Sequence, residues 1–333
     1  MNEIVPLTLQ TFSMRKISLL LSALIFLAGC ASQKSGVPTV AFMDAFQDNT
    51  IAKAKQGFFD ALAANGFDEK KGTLNVIYRN AQGDIPTLTQ IAKYMISQQP
   101  TLIATCPTLA TITALQNTKD IPVFMMVADT PDKMKINSAD GKEPANLFGV
   151  GETIAYIDTS FGLIPRLIKP KGEKIKAGVV FNQSEPQSVL ALEAITNMAK
   201  ANEVELIALP VNNSADVQLV TQSLLSKGID VFFANPDNTI FASFESIVKA
   251  CEAANVPIMT SEAGLVERGA LAAFGADIYQ WGYQSGLQAA QMLKQGNTSG
   301  LTWELVKVRN RVYNPAMAQK YNITIPEGFN PIQ

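Results

Sequence analysis

From Val37 onward, short runs of β-branched and apolar residues alternate with longer segments whose apolar residues recur every three or four positions. Val37–Phe42 predicts a strand, and Ile51–Asn65 carries Ala54, Phe58, Ala61 and Leu62 at the spacing of one helical face. The alternation continues with strand Thr73–Tyr78, helix Ile85–Gln98, strand Thr101–Thr105, helix Leu109–Asn117 and strand Pro122–Val127. It then repeats: strand Ile175–Phe181, helix Ser188–Ala201, strand Glu205–Leu209, helix Ala215–Ser226, strand Val231–Ala234, helix Ile240–Ala253 and strand Val256–Thr260. Strands that alternate with helices of this length predict parallel, doubly wound α/β sheets.

The two halves echo each other in residues. Thr101-Leu102-Ile103-Ala104-Thr105-Cys106-Pro107-Thr108 matches the pattern of Asp230-Val231-Phe232-Phe233-Ala234-Asn235-Pro236-Asp237, and Asp120-Ile121-Pro122-Val123 matches Asn255-Val256-Pro257-Ile258. The tracts Asn80–Asp84 and Asn212–Asp216 occupy the same slot before each second helix, as turns and helix caps. The fold class expected is therefore α/β, with two doubly wound lobes. The end of the chain predicts strand Ala270–Phe274, helix Tyr279–Lys294 and strand Trp303–Val308. A crossing back to the first lobe would place residues 37–153 plus about 278–297 in the N-terminal lobe, and 154–277 plus about 298–330 in the C-terminal lobe. Loops Gly275–Asp277 and Asn297–Leu301 are then the hinge candidates.

Upstream, Met14-Arg15-Lys16 precedes an apolar run that ends Leu27-Ala28-Gly29-Cys30. Cations before a short apolar stretch make a secretory signal, too short to span a bilayer as a helix. The ending resembles a bacterial lipobox, which implies lipidation of Cys30 (palmitate), a signal over residues 1–29 with Met14 as its own start, and a polar tether over 30–36. The expected location is the cell envelope, outside the cytoplasmic membrane and anchored by lipid.

Composition narrows the chemistry. A net charge of −2 with scattered basic residues gives no footing for nucleic acid. The absence of histidine removes histidine bases, Ser-His-Asp and Cys-His nucleophile systems, and the commonest metal ligand. No cofactor loop or metal cluster is legible, so neither a cofactor nor a metal is expected, and the chain reads as a non-enzyme. Cys106 sits at a helix start, where a thiol pKa can fall; with no histidine partner it reads as a small cleft residue. The layout puts it in a different lobe from Cys251, against a disulfide between them.

In open parallel sheets, ligands bind outside the carboxyl ends of the strands, where helix N-termini point. Two facing lobes would join those edges into one cleft, lined by Met43–Thr50, Thr105–Thr108, Ala128–Asp132, Asn182–Ser188, Asn235–Thr239 and Ser261–Leu265. These loops hold acids, hydroxyls and amides but no arginine. Thr105, Thr108 and Ser188 could hold a carboxylate together with helix-start N–H groups, and Asp129, Asp237 and Glu262 could hold an ammonium. A zwitterion of amino-acid size meets both demands. Phe42, Phe46 and Phe181 could stack on its side chain. Asp48, Asn49, Asn182, Asn235 and Asn238 complete the candidate set. Each has a structural alternative: Asp237, Ser188 and Thr108 as helix caps, Phe42 and Phe181 as core, Trp281 as packing, and Glu267-Arg268 as a surface or hinge ion pair.

Asn80-Ala81-Gln82-Gly83-Asp84, Pro236-Asp237-Asn238-Thr239 and Ser261 with Val266-Glu267-Arg268-Gly269-Ala270-Leu271-Ala272 resemble signatures of the ABC-transporter substrate-binding lipoproteins, in the branch with tryptophan- and tyrosine-binding members. Asn182, Glu185-Pro186 and Ser188, and the ending Asn314-Pro315 … Ala318 … Ile323-Thr324-Ile325-Pro326, are similar too. The resemblance runs from about Val37 to Gly328. It implies a type I periplasmic-binding-protein fold, a monomer that captures a small solute and passes it to a membrane permease paired with an ATPase. It also implies that Thr105, Pro107, Asn182, Asp237 and Asn238 lie in or beside the cleft. The chain departs from the family at Gln47-Asp48-Asn49-Thr50, where a histidine is frequent, and at Cys106. A sensor or adhesin using the same cleft, or a histidine-free hydrolase with Asp129 and Asp237 as paired acids, stand as alternatives.

Overall fold

A computed structural model describes residues 36–153 and 155–332. The signal-like segment, Cys30 and the tether up to Ser35 lie outside the described residues, as does Ile154. Among the described residues, no helix is long and apolar enough to cross a membrane.

The first lobe is built from β1 (Thr39–Asp44), α1 (Asn49–Ala64), β2 (Asn75–Asn80), α2 (Ile85–Ser97), β3 (Leu102–Cys106), α3 (Thr108–Asn117), β4 (Val123–Asp129) and β5 (Leu147–Glu152). Its central strands are apolar along most of their length and buried on both faces, as a helix-covered parallel sheet requires, with Asp44, Thr105 and Asp129 at or near their carboxyl ends. Short polar side chains start the helices. Asp48 accepts from the backbone N–H groups of Thr50 and Ile51, and Asp84 accepts from Thr87 N.

The chain then passes to α4 (Ala155–Phe161), which belongs to the second lobe: Ser160 Oγ donates to Phe274 O at 2.6 Å. The second lobe continues through α5 (Ile164–Leu167), β6 (Lys176–Asn182), α6 (Pro186–Ala201), β7 (Glu205–Val211), a 3₁₀ turn and α7 (Val217–Leu225). Next come β8 (Val231–Ala234), α8 (Asn238–Ala242), α9 (Phe244–Ala253), β9 (Ile258–Thr260), α10 (Ala263–Glu267) and β10 (Ala272–Ala276). The segment expected as one helix from Ile240 to Ala253 is two helices, broken at Ser243.

From β10 the chain crosses back. α11 (Ile278–Gln295) lies along α1, and β11 (Glu304–Leu305) pairs parallel with β5, Glu304 opposite Val150. It crosses a third time into β12 (Arg309–Tyr313), antiparallel to β10, then α12 (Pro315–Lys320) and β13 (Asn330–Pro331). The sheets run β11-β5-β4-β3-β1-β2 and β13-β12-β10-β9-β8-β6-β7. The strand expected over Trp303–Val308 is therefore shorter, and it lies in the first sheet rather than the second lobe. Of the two hinge candidates, Gly275–Asp277 covers a crossing; Asn297–Leu301 does not, and residues 306–308 do so instead. The crossings are tied together: Arg309 grips Glu152 with two hydrogen bonds at 2.6 and 3.0 Å, and Asp277 caps α11 while accepting from Asn310 Nδ2 at 2.8 Å.

α11 holds the returning segment tightly. A Cβ at Gly282 would lie 1.8 Å from Ala54 O, so this approach of α11 to α1 admits no side chain. One apolar cluster runs from Phe42 and Phe58 through Ile51, Val127 and Trp281 of the first lobe into Phe241 and Leu265 of the second. The lobes thus meet on packed apolar surface in a closed arrangement.

Candidate functional site

Where the strand ends of both lobes meet, a small enclosed space is lined by Ile51, Pro107, Val127 and Trp281 from the first lobe and its returning helix. Tyr156, Gln187, Pro236, Asp237, Asn238, Phe241 and Glu262 line it from the second. Its volume of about 10 Å³ holds roughly one water molecule. In this arrangement the space is too small for a molecule of amino-acid size. At the rim of the same interface, about 330 Å³ lies between Phe46, Gln47 and Gln82 on one side and Asn182, Ser184, Glu185 and Asn213 on the other.

The second lobe contributes a network of polar side chains that were expected one by one. Asp237 caps α8 with one oxygen, accepting from Thr239 N and Ile240 N; its other oxygen accepts from Asn182 N at 2.6 Å and Ser188 Oγ at 2.5 Å. Asn235 Nδ2 donates to Ser188 Oγ at 2.9 Å. Glu185 accepts from Asn182 Nδ2, from Asn238 N and Nδ2, and from Thr239 N and Oγ1. Burial pushes the Asp237 carboxyl up to about 7, and the negative charge of Glu185 adds to the effect. Glu262 accepts from Tyr156 Oη at 3.2 Å, and burial raises its carboxyl to about 7 against that hydrogen bond.

The first lobe meets this network from across the interface. Thr108 Oγ1 accepts from Asp129 N at 3.2 Å and donates to Gln187 Oε1 at 3.1 Å, spanning the lobes. The Asp129 carboxylate is buried and accepts no hydrogen bond from a described residue. Desolvation, helped by Asp132, lifts it to about 7. Asp48 faces Arg268, whose Nη1 lies 2.7 Å from Oδ2 and 2.9 Å from Thr50 Oγ1. The same guanidinium binds Glu245 through Nε at 2.8 Å and Nη2 at 3.0 Å, and Phe241 O at 2.7 Å.

Several expectations need correction. Phe42 is fully buried against Phe58, Phe59 and Tyr78 in the first-lobe core, so it presents no face to a solute. Phe181 packs with the second-lobe core; Phe46 alone of the three reaches the rim. Thr105 is buried and shares a hydrogen bond with Thr111 at 2.9 Å, which leaves the cavity wall to Pro107. Asn49 is exposed in the first turn of α1. Both oxygens of Asp48 are engaged, by the helix start and by Arg268. Glu267 and Arg268 do not pair with each other: Glu267 meets Lys53 at 2.6 Å across the lobes. The two buried cysteines are free; burial pushes the Cys106 thiol well up rather than down, and the Cys251 thiol up to about 12.

Other contributors carried little local signal. Tyr156 lies on α4, which no strand-helix alternation announced. Trp281 both packs and lines the cavity, fixed by its indole N–H to Val150 O at 2.8 Å. Val127 takes φ +50 where the β4–β5 register shifts, a strain of about 1–3 kcal/mol for a non-glycine residue that places its side chain at the cavity wall. Among the described residues, no group of three or more His, Cys, Asp or Glu could hold a metal ion.

Known proteins share this arrangement. A tyrosine-binding protein of Clostridioides difficile (strain R20291) is 32% identical over 245 residues, which cover 74% of this chain and 69% of that one. A conserved domain protein from Vibrio cholerae superposes with a TM-score of 0.77 at 27% identity, covering 87% of this chain and 96% of the other. The same fold recurs at 22% identity, with a TM-score of 0.78, in an ABC domain in complex with L-Trp from Streptococcus pneumonia; 89% of this chain and 99% of that one are covered. It recurs at 24% identity, with a TM-score of 0.64 and the same coverage, in the ligand-free, open structure of CD0873, a substrate binding protein with adhesive properties from Clostridium difficile. These neighbours share two α/β lobes of the type I periplasmic-binding-protein kind. Residues 39–330 match the model of the ABC transporter substrate binding proteins, and the chain belongs to that family.

Proposed function

We propose that the protein is a lipid-anchored, extracytoplasmic solute receptor for an ABC importer, which captures an α-amino acid with an apolar or aromatic side chain by closing its lobes. The observation that carries this reading is the composition of the inter-lobe space. Tyr156, Phe241 and Trp281 supply aromatic surface, Ile51, Val127 and the two prolines supply apolar walls, and Asp237 and Glu262 stand beside them. That set suits a flat or branched side chain next to an ammonium group. Backbone N–H groups at the start of α3, which no side chain caps, offer partners for a carboxylate. The tyrosine-binding relative at 32% identity supports the same solute class. Cys30, as the lipidated residue, would hold the protein at the membrane beside its permease and ATPase.

Closure is the mechanism. The solute stabilises the closed form through contacts with both lobes at once, so the shift equals its differential affinity for the two forms. A thermal-shift series against amino acids, nucleosides and sugars tests the reading. A solute at 100 times its Kd stabilises the folded protein by about 2.7 kcal/mol. The expected result is a shift with L-tyrosine, L-tryptophan or a branched amino acid. Shifts confined to sugars or nucleosides would refute the solute class.

A further inference from the structure

The closed interface buries the carboxyl groups of Asp129, Asp237 and Glu262, and no lysine or arginine lines the small space that Asp237 and Glu262 face. Asp129 belongs to the first lobe; Asp237 and Glu262 belong to the second. Charged neighbours do not neutralise them. Asp237 faces Glu185 from the start of α6, together with the uncharged donors Asn182 N, Ser188 Oγ, Thr239 N and Ile240 N. Glu262 faces Tyr156 from α4, Glu152 from the end of β5 and Asp48 from the start of α1. Those last two acids are already held by Arg309 and Arg268. Asp129 faces Asp132 and the exposed Lys133 on its own loop, and lies near enough to Tyr156 across the interface to push up its phenol. Two side-chain atoms of the second lobe beside these acids, in residues with no exposure, lack hydrogen-bond partners: Asn235 Oδ1 and Ser261 Oγ, the latter one residue before Glu262.

An ionised carboxylate buried without a cation costs several kcal/mol, so such a group takes up a proton or attracts a positive charge. We propose that the cleft exchanges protons for the ammonium group of its solute: it closes empty only with protonated carboxyls, and loading releases protons, so the solute must carry a positive charge. The proposal rests on the cleft being the solute site and adds what that site demands of the solute.

The direction follows from the two forms. In the open form water solvates the same carboxyls, which return toward the ordinary range near 4. Closing therefore takes up protons, and the empty closed form gains population as pH falls through about 7. The ammonium competes with those protons, so its affinity falls over the same interval. Each linked carboxyl contributes a loss of up to about tenfold between pH 8 and pH 6, reached where the empty protein is closed.

Two measurements on the same protein test this. In the first, spin labels on Lys93→Cys and Leu219→Cys, both exposed and on opposite lobes, report the inter-lobe distance without solute from pH 8 to pH 5 in a Cys30→Ser background; Cys106 and Cys251 are buried. The expected result is a growing short-distance population as pH falls, reduced in Glu262→Gln and Asp237→Asn. In the second, calorimetric titrations with L-tyrosine and L-tryptophan, in phosphate and in Tris at pH 7, should differ in heat by the protons released. Affinity should fall about tenfold or more from pH 8 to pH 6, and the deaminated analogue 3-(4-hydroxyphenyl)propionate should not bind. A pH-independent distance, affinity without proton release, or equal binding of the deaminated analogue would each overturn the exchange while leaving amino-acid capture standing. If neither amino acid bound but acid still closed the empty cleft, proton uptake on closure would stand, and the solute reading would fall together with the exchange for an ammonium group.

Discussion

Asp48→Asn separates the two tasks of one side chain. Asparagine retains an oxygen to cap α1, accepting from Thr50 N and Ile51 N as Oδ1 does now at 2.8 and 3.0 Å. It removes the charge facing Arg268 and turns an NH₂ donor toward a guanidinium donor. The Asp48 side chain is 1% exposed and that of Arg268 15%, so solvent screens the pair little. A charge-assisted hydrogen bond in this setting contributes about 1.5–3 kcal/mol. Arg268 keeps Glu245 and Phe241 O in the variant, so the loss falls on the contact between the lobes. The closed-to-open ratio should drop by a factor of about 10 to 160. Lys53–Glu267 also bridges the lobes, but its side chains are 41% and 55% exposed; its loss in Glu267→Gln should shift the ratio by no more than about 1 kcal/mol. The Lys93/Leu219 label pair reads both. A ratio unchanged in Asp48→Asn, or a larger effect from Glu267→Gln, would refute burial as the factor that ranks these latches.

Gly282→Ala forces a methyl group into the carbonyl of Ala54 and should destabilise the protein by about 1–3 kcal/mol in urea unfolding, whereas Gly172→Ala, with nothing within 4 Å, should be neutral. Cys106 and Cys251, at 1% and 0% exposure, should stay inert to a thiol reagent in the native protein and react once urea unfolds it. Cys30→Ser should move the protein from the membrane fraction of the expressing cell to the soluble fraction.

The order of strands and helices was legible because most elements are long enough to show their period. The helix starts were legible because Asp84, Asn213 and Asp237 are short acceptors placed just before apolar runs. β5 was hidden: Gly149 and Gly151 interrupt its apolar run, yet a Cβ at Gly149 would meet Met125 O at 2.3 Å, so the packing itself demands the residue that masks the strand. β12 was hidden by its polar composition, Arg-Asn-Arg-Val-Tyr, and by pairing antiparallel at the far end of the chain. Phe42 was placed in the cleft because a strand buried on both faces has no alternation to say which way a ring points. The acids and amides of the second lobe were found, since their loops follow strand ends, but their division of labour was not. Asp48 and Arg268 stand 220 positions apart, and only the fold brings them together.

The claim that the lobes close on an amino acid is tested most directly by the Lys93/Leu219 label distance at pH 8, measured without solute and with saturating L-tyrosine or L-tryptophan. The expected result is a long, broad distribution without solute and a short, narrow one when either amino acid is bound. Calorimetric binding of either amino acid with no change in that distance would contradict it.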